Sequence, residues 1–387
     1  MPEVLVLFAL LPVAAATGWI AARRGTARGR QQNSTLSSNY FRGLNFLLNE
    51  QPDKAIEVFL EIAEINQDTV ETHLALGNLF RRRGEMDKAI RFHKHIMTRP
   101  NLTEEQRSQA LLELGEDYMR AGLLDRAERL FSELLEHDPG APVPARQLLD
   151  IYQQEKDWHK AIANARHLAD DDGRRDELIA QFHCELARAA LEDSDTEACR
   201  KYLRQARRYD PRNPRARLLE GELAWSEGRW SAAAEHYRRA CDLDPDVALA
   251  AMDRIVDCHR RVDGLETLEG WLETLIDKSR MTTPILTLAR LKSESSKQEA
   301  AEFLLDQVAR RPTVRGLEYL MTLLSEQGVS LDQVGPELVR ELMQRLLEGQ
   351  PRYRCRHCGF SGNAYHWLCP SCRRWNTTRA ISGVLGE

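Results

Sequence analysis

Four cysteines near the end of the 387-residue chain are the residues whose types and spacing best suit chemistry. Cys355 and Cys358 form one C-x2-C pair, and Cys369 and Cys372 form a second pair after ten intervening residues. Two such pairs fold as two tight knuckles and supply four thiolates, the ligand set of a tetrahedral metal site. Gly359 follows the first pair and permits the positive φ that a knuckle turn often needs. The pattern predicts a metal ribbon rather than a redox dithiol.

The metal is expected to hold this short segment together. Residues 349–387 are too few to fold on apolar burial alone, so metal binding would supply the folding free energy. Zinc and iron both accept four thiolates in tetrahedral geometry. Zinc is favoured for a structural role, and iron stays open because the knuckles resemble those of rubredoxin.

The residues around the cysteines suggest how the ribbon is completed. Between residues 351 and 387 there are six arginines and one acidic residue, and four of these arginines are placed to offset the charge of four thiolates on a divalent ion. His357 and His366 are predicted to be surface residues. The ribbon is expected to lock the last helices or to fold back against their groove. Its own small core is predicted from five aromatic residues: Tyr353, Phe360, Tyr365, Trp367 and Trp375.

Composition narrows the classes of function. The chain is 42% apolar and 29% charged, which is typical of a folding chain, and its net charge of −5 is too mild to imply nucleic-acid binding. No phosphate loop, dinucleotide fingerprint, H-E-x2-H or G-x-S-x-G motif occurs, which argues against an enzyme. Paired thiols together with isolated ones indicate a reducing compartment rather than a disulfide framework. The isolated ones are interpreted as small buried residues: Cys184, Cys199, Cys241 and Cys258.

The N-terminus reads as a membrane anchor. Residues 4–22 carry no charge, and a helix of that length spans roughly 28 Å, close to the ~30 Å hydrocarbon core of a bilayer. Glu3 precedes the apolar stretch and four arginines follow it, the reverse of a signal peptide. The positive-inside rule places the rest of the chain in the cytoplasm. We therefore expect an anchor at 1–22 and a linker at 23–36.

The middle of the chain repeats itself with the pattern of tetratricopeptide hairpins. One unit has Gly115, Tyr118, Ala127 and Phe131, and similar units surround Gly43, Gly77 and Gly221. Steps of 34 or 38 residues from Gly43 reach Gly77, Gly115, Leu149, Ala187, Gly221, Ile255 and Ala289. The excess in the second step fits a loop insertion at 101–103, and Asp-Pro at 138–139, 210–211 and 244–245 is expected to end second helices.

The predicted fold class is therefore all-α. A tetratricopeptide-repeat superhelix occupies residues 37–348 in about nine units, the later ones degenerate, between the transmembrane helix and the rubredoxin-like ribbon at 349–387. The first helices of such hairpins line a concave groove that holds a peptide or a folded partner. On the repeat phase, seven residues are predicted to line that groove: Asn78, Arg81, Arg82, Glu116, Arg120, Gln153 and Arg188.

With these parts in place, nearly the whole chain resembles the lipopolysaccharide assembly protein B family of Gram-negative bacteria. The resemblance is carried by LLPVAAATGW in the anchor, by NFLLNEQPDKA, THLALGNLFRRRGE and GEDYMRAGLLDRAE in the repeats, and by PRYRCRHCGF and CPSCRRW in the ribbon. Repeat signatures are common to many families, but the order of anchor, repeats and rubredoxin-type ribbon is not. The later repeats, roughly 250–330, match weakly.

The resemblance implies an inner-membrane protein that faces the cytoplasm. It implies an adaptor that promotes degradation of the lipid A-committing deacetylase by the membrane protease FtsH, beside other inner-membrane lipopolysaccharide proteins. The metal ligands carry over as the four ribbon cysteines, whereas no family motif covers the groove residues. Two alternatives stay open: a general membrane-tethered scaffold for lipopolysaccharide synthesis and export enzymes, and a rubredoxin-like electron carrier. A homodimer is also open.

Overall fold

The computed structural model describes residues 70–168, 174–262, 264–279, 281–327, 336–384 and 386, together with 41–43, 45, 46, 49, 51, 54, 55, 57 and 58. The predicted anchor at 1–22 and linker at 23–36 lie outside these residues. Among the helices that are described, none combines the length and the apolar character needed to cross a membrane. The chain divides into two compact units, Met1–Asp157 and Trp158–Glu387.

The first unit is built from helical hairpins. Ala55 and Val58 are helical and share a core with Leu76, Phe80 and Ala89. A capping box formed by Thr103 and Gln106 starts the third helix after the predicted loop insertion. The helices of this unit after residue 69 are α1 (Val70–Arg82), α2 (Met86–Met97), α3 (Glu104–Arg120), α4 (Leu124–His137) and α5 (Pro142–Glu155).

The second unit continues the helical pattern and ends in a small sheet. Its helices are α6 (Trp158–Ala165), α7 (Arg174–Glu192), α8 (Thr196–Tyr209), α9 (Pro214–Ser226), α10 (Trp230–Leu243), α11 (Ala248–Arg261), α12 (Leu265–Lys278), α13 (Thr282–Ser295), α14 (Lys297–Arg310), α15 (Val314–Glu326) and α16 (Pro336–Leu347). Three short strands follow, β1 (Tyr353–Cys355), β2 (Ser361–Gly362) and β3 (Thr378–Ala380), with β1 between β2 and β3 and antiparallel to both. The prediction of an all-α repeat array with a C-terminal ribbon is confirmed.

Proline and its preceding aspartate end the second helices as the sequence indicates. Helices α4, α8 and α10 stop at His137, Tyr209 and Leu243, and in each case the aspartate of Asp-Pro is the C-cap in an extended conformation. Proline excludes the helical conformation from the residue before it, which explains the common stopping point. The positions reached by the repeat step all lie on first helices and are buried, including Leu149, Ala187, Ile255 and Ala289.

In two hairpins, α3/α4 and α9/α10, the close crossing of the helices depends on a glycine that faces an aromatic ring. A Cβ atom built on Gly115 would lie 2.6 Å from the Phe131 ring, and one on Gly221 would lie 2.6 Å from the Tyr237 ring. Both distances are far below van der Waals contact, so any side chain at the glycine would push the helices apart. In the hairpin α1/α2 the same place opposite Gly77 is taken by His93, 2.2 Å from such a Cβ.

The four isolated cysteines belong to this packing. Each is fully buried in a helix of the second unit, as expected for a small apolar residue. Burial raises the pKa of the Cys184 thiol to about 12 and that of the Cys199 thiol to about 11. These thiols therefore stay protonated and inert, and the interpretation as structural residues is confirmed.

Candidate metal centre and the helices that hold it

The four predicted ligands converge on one point. The Sγ atoms of Cys355, Cys358, Cys369 and Cys372 all lie within 4.8 Å of one another. The Sγ atoms of Cys355 and Cys372 are 3.8 Å apart, and those of Cys358 and Cys369 are 3.7 Å apart. A tetrahedron with metal–sulfur bonds of about 2.3 Å has edges of about 3.8 Å. The donor set and its spacing therefore fit one four-coordinate metal ion.

The two knuckles are built by the same backbone turn. In the first, the Gly359 amide donates to the Cys355 carbonyl at 3.0 Å, and Gly359 has φ +78°. In the second, the Arg373 amide donates to the Cys369 carbonyl at 2.9 Å, and Arg373 has φ +53°. Glycine at this place was foreseen from the sequence, whereas an arginine in the left-handed region has no such signal. The second knuckle thus carries backbone strain that its surroundings must hold.

The first knuckle favours thiolate character. Burial opposes ionisation of Cys355, but the hydroxyl of Thr377 and nearby backbone amides lower the pKa of this thiol to about 6. The backbone amide of Phe360 lowers the pKa of Cys358 below its ordinary value. Desolvation raises the pKa of Cys372 to about 11. A cation at the centre of the cluster would supply the charge that keeps all four sulfurs deprotonated.

Only part of the predicted aromatic core lies inside the ribbon. Tyr353 is buried and meets Tyr365 edge-on at 5.4 Å, and Tyr365 meets Trp367 at 4.8 Å. Trp375 instead packs on the helices, edge-on to Trp158 at 6.3 Å and to Phe182 at 5.9 Å. The expectation of one core around the cluster is thus corrected for Trp375. The ribbon is too small to cover a fifth large ring, so this half-buried indole packs against α6 and α7.

Arg215 joins the ribbon to the helices. The Arg215 guanidinium, at the start of α9, lies 5.7 Å from the Trp367 ring and 5.6 Å from the Trp375 ring. It also donates to Glu185 at 2.9 Å and to Gln181 at 3.3 Å, and Arg215 is only 4% exposed. Both tryptophans flank the second knuckle, since the Asn376 amide donates to the Trp367 carbonyl at 2.8 Å. The turn that carries Cys369 and Cys372 is therefore flanked by the two tryptophans through which the ribbon contacts the helices.

Polar contacts extend the same interface at its edges. The Gln181 amide donates to the Asn376 side-chain oxygen at 3.1 Å, across 195 positions of sequence. Arg379 in β3 contacts Asp244 at 3.1 Å and Asp246 at 3.4 Å, beside the turn between α10 and α11. The Val314 amide donates to the Val384 carbonyl at 2.9 Å. The ribbon thus contacts helices from α6 to α15.

The seven predicted groove residues lie on first helices but differ in what they offer a partner. Arg81 is buried and bound to Glu113, Glu116 and Asp117, so its guanidinium is already engaged. Asn78 accepts a hydrogen bond from Arg81 at 2.6 Å. In the second unit the Arg188 guanidinium pairs with two glutamates of its own helix. Arg82 and Arg120 are exposed, and Gln153 and Glu116 are half-buried.

The helix residues that hold the ribbon were missed by the sequence reading. Trp158, Gln181, Phe182, Arg215 and Asp244 sit in ordinary repeat sequence, and no local pattern separates them from solvated neighbours. One signal in the sequence could have indicated such contacts: the ribbon has more aromatic residues than so short a segment can bury. That surplus indicates a docking surface without saying where it is.

Family models match part of the first unit, part of the helices of the second unit, and the ribbon. A model described as tetratricopeptide repeat matches residues 184–248, and another of the same description matches residues 72–107. A model described as rubredoxin metal binding domain matches residues 353–379, which include all four cysteines of the cluster.

Two curated relatives align over nearly the whole chain. Lipopolysaccharide assembly protein B of Escherichia coli strain K12 is 36% identical over 98% of this chain and 99% of its own length. The protein of the same name from Haemophilus influenzae is 32% identical over 97% of this chain and 98% of its own. Among solved structures, the tetratricopeptide-repeat protein YrrB is 17% identical over 51% of this chain and 99% of its own, with a TM-score of 0.34.

Proposed function

The chain belongs to the lipopolysaccharide assembly protein B family, and on that premise we propose that it is a membrane-tethered adaptor rather than an enzyme. It would regulate lipopolysaccharide synthesis by bringing the lipid A-committing deacetylase to the protease FtsH. The observation that carries this proposal is an array of helical hairpins that ends in a ribbon with a four-cysteine cluster. Such arrays bind proteins along their inner helices.

The proposed domain order is an anchor at 1–22, a linker at 23–36, the repeat array at 37–348 and the ribbon at 349–387. The uncharged stretch at 4–22 and the arginines after it support a single-pass helix in the inner membrane with the bulk of the chain in the cytoplasm. A tether of this kind confines the adaptor to the plane in which a membrane protease works, which raises its effective concentration there.

Among the seven predicted groove residues, those with exposed side chains are the best candidates for binding a partner. In the first unit, Arg82 and Arg120 are exposed on α1 and α3, so they are the better candidates for contact with a partner. Arg81 is a weaker candidate, because its guanidinium is already bound to Glu113 and Asp117. Photo-crosslinkers at positions 82 and 120, followed by mass spectrometry, would identify the partner that lies there.

Zinc is the proposed metal in cells, in a structural role. All four positions of the tetrahedron are protein thiolates, which leaves no open position for catalysis. The electron-carrier alternative has one observation in its favour, the exposed Cys358 through which an electron could pass. The two are separated by loading the chain with zinc alone, because a zinc site has no redox couple. Full activity of the zinc-loaded chain in cells would end the electron-carrier alternative.

The adaptor proposal is tested by deacetylase turnover. The double substitution Cys355→Ser with Cys358→Ser is expected to prolong the half-life of the deacetylase, and so is removal of residues 1–22. Cys258→Ser, at a buried cysteine outside the cluster, is the matched control and should leave turnover unchanged. Unchanged turnover after loss of the anchor would contradict the tether, and turnover of a small-molecule substrate by the purified chain alone would contradict the adaptor.

A further inference from the structure

An open cleft of about 590 Å³ lies between α11 and α13, the first helices of two successive hairpins in the second unit. It is lined by Asp253, Arg254 and Arg260 from α11 and by Thr287, Arg290 and Glu294 from α13. Its volume is within the range of sites that bind a small ligand or a few side chains of a peptide. The cleft is separate from the metal cluster and from the Arg215 contact, so the ribbon does not account for it.

Two guanidinium groups in this cleft lie over aromatic rings. Arg254 lies over the Trp225 ring at 4.4 Å, and Arg290 lies over the Tyr319 ring at 5.7 Å. Among the residues that the structure describes, neither guanidinium forms a salt bridge, although both side chains are exposed. The contact with the ring restrains each guanidinium, and its N–H donors remain available to a ligand in the cleft.

The supporting rings are themselves held in place. Trp225 meets Trp230 edge-on at 4.8 Å, and Arg261 lies over both indoles at 5.2 and 4.5 Å. The Tyr319 hydroxyl is 3.3 Å from the Ser293 hydroxyl on α13. Arg254 on α11 therefore lies over a ring from α9, and Arg290 on α13 lies over a ring from α15. This arrangement keeps the middle of the cleft open.

The remaining charges of the cleft restrict the kind of ligand. Arg260 pairs with Glu294, and Asp257 pairs with Arg261, so these four groups compensate one another. Glu222 on α9 lies near enough to Arg254 to interact with it electrostatically. Asp253 adds a carboxylate to the wall of the cleft. A polyanion such as a nucleic acid would meet this carboxylate and the other acids of the wall, which disfavours it. Two separate carboxylates with backbone N–H groups between them match the pattern of two guanidiniums and one acceptor.

We infer that this cleft is a docking site for an acidic peptide segment of a partner protein, with Arg254 and Arg290 each binding one Asp or Glu side chain. Arginine, tryptophan and tyrosine are the residues that dominate binding energy at protein interfaces, and here they form one row. The inference goes beyond the proposed function, since it holds whichever protein supplies the segment.

Binding can be measured with the full chain and fluorescein-labelled dodecapeptides. The peptides carry two aspartates at spacings of one to seven residues in an alanine-glycine background, and the matched set carries asparagines instead. Fluorescence anisotropy should show binding of an aspartate peptide at a preferred spacing, with at least about tenfold weaker binding of its asparagine counterpart. No binding of any aspartate peptide, or equal binding of the two sets, would overturn the inference.

Variants identify the residues that bind. Arg254→Ala and Arg290→Ala are each expected to weaken binding about tenfold or more, and Arg254→Lys should weaken it less, because charge remains while the planar fork is lost. Arg239→Ala is the matched control, an exposed arginine on α10 paired with Glu235. Circular dichroism checks that each variant is folded. Equal weakening by Arg239→Ala, or displacement of the peptide by inorganic phosphate, would show nonspecific anion binding and refute the assignment.

Discussion

The Nδ1 atom of His93 lies 2.5 Å from the Oδ2 atom of Asp117, and both side chains are completely buried between the first two complete hairpins of the described chain. The other carboxylate oxygen of Asp117 accepts from Arg81 at 3.0 Å. One carboxylate thus satisfies a histidine on α2 and an arginine on α1. A polar network replaces the aromatic contact that the hairpins α3/α4 and α9/α10 have at this place.

Asp117→Ala should strongly destabilise the first unit. The substitution leaves Arg81 and His93 buried without their shared acceptor, and breaking a buried pair in this way costs about 3–5 kcal/mol. Glu116→Ala is the control, because Glu116 also contacts Arg81 but is partly exposed, and it should cost less than about 1 kcal/mol. Hydrogen exchange of α1–α4 amides in the intact chain measures both, and similar protection in the two variants would contradict the network.

Two glycine substitutions should act in opposite directions. Gly115→Ala places a methyl group against Phe131 and is expected to cost about 1–3 kcal/mol through overpacking. Gly270→Ala in α12 meets no atom within 4 Å and should stabilise its helix by roughly 0.5–1 kcal/mol. Urea unfolding followed by circular dichroism gives both values. A neutral Gly115→Ala would mean that the helices separate at no cost, contrary to the packing described.

Removal of the metal should loosen helices as well as the ribbon. Cys369→Ser is expected to abolish metal binding and to raise hydrogen exchange in α7 and α9, since the second knuckle positions the tryptophans that cover Phe182 and Arg215. His357→Ala changes an exposed residue of the first knuckle and should retain one metal per chain. Elemental analysis and hydrogen exchange test this together, and unchanged exchange in α9 after metal loss would refute the coupling.

Arg215→Lys should undock the ribbon while the metal stays bound. Lysine keeps the charge near Glu185 but cannot fill the space between two indole rings with a planar group. We expect faster exchange of the β1–β3 amides and easier proteolysis between α16 and β1, with unchanged metal content. Arg212→Ala, an exposed position just before α9, serves as control. If the lysine variant were as protected as the control, stacking would not hold the ribbon.

The stability of the second unit should fall in mild acid because of His183. Burial lowers the pKa of this imidazole to about 4, so His183 is neutral in the folded chain and takes up a proton on unfolding below pH 6.5. Its contribution is fully present above pH 6.5 and is lost as the pH falls to about 4, by at most about 3 kcal/mol. His183→Phe should flatten this part of the pH profile in chemical denaturation, and an unaltered slope would count against it.

The sequence by itself determined the features that repeat or that lie close together along the chain. Glycine and alanine recur at the step of a helical hairpin because each unit must solve the same crossing, so even the weakly matching Ile255 and Ala289 fall on buried positions of first helices. The two cysteine pairs form their knuckles within five residues each, so the spacing alone predicted the cluster. Asp-Pro marked helix ends because proline acts on the residue next to it.

Only the tertiary structure decided which residues meet across long separations. His93 can occupy the position of an aromatic residue because Asp117 on another hairpin binds it. Trp375 packs outside the ribbon core because it contacts Arg215 and Phe182 on the helices. The stacked Arg254 and Arg290 look like any solvated arginines until Trp225 and Tyr319 are placed beneath them. The physical reason is that such contacts depend on how successive hairpins stack. The sequence of one hairpin does not indicate which side chains of its neighbours will contact it.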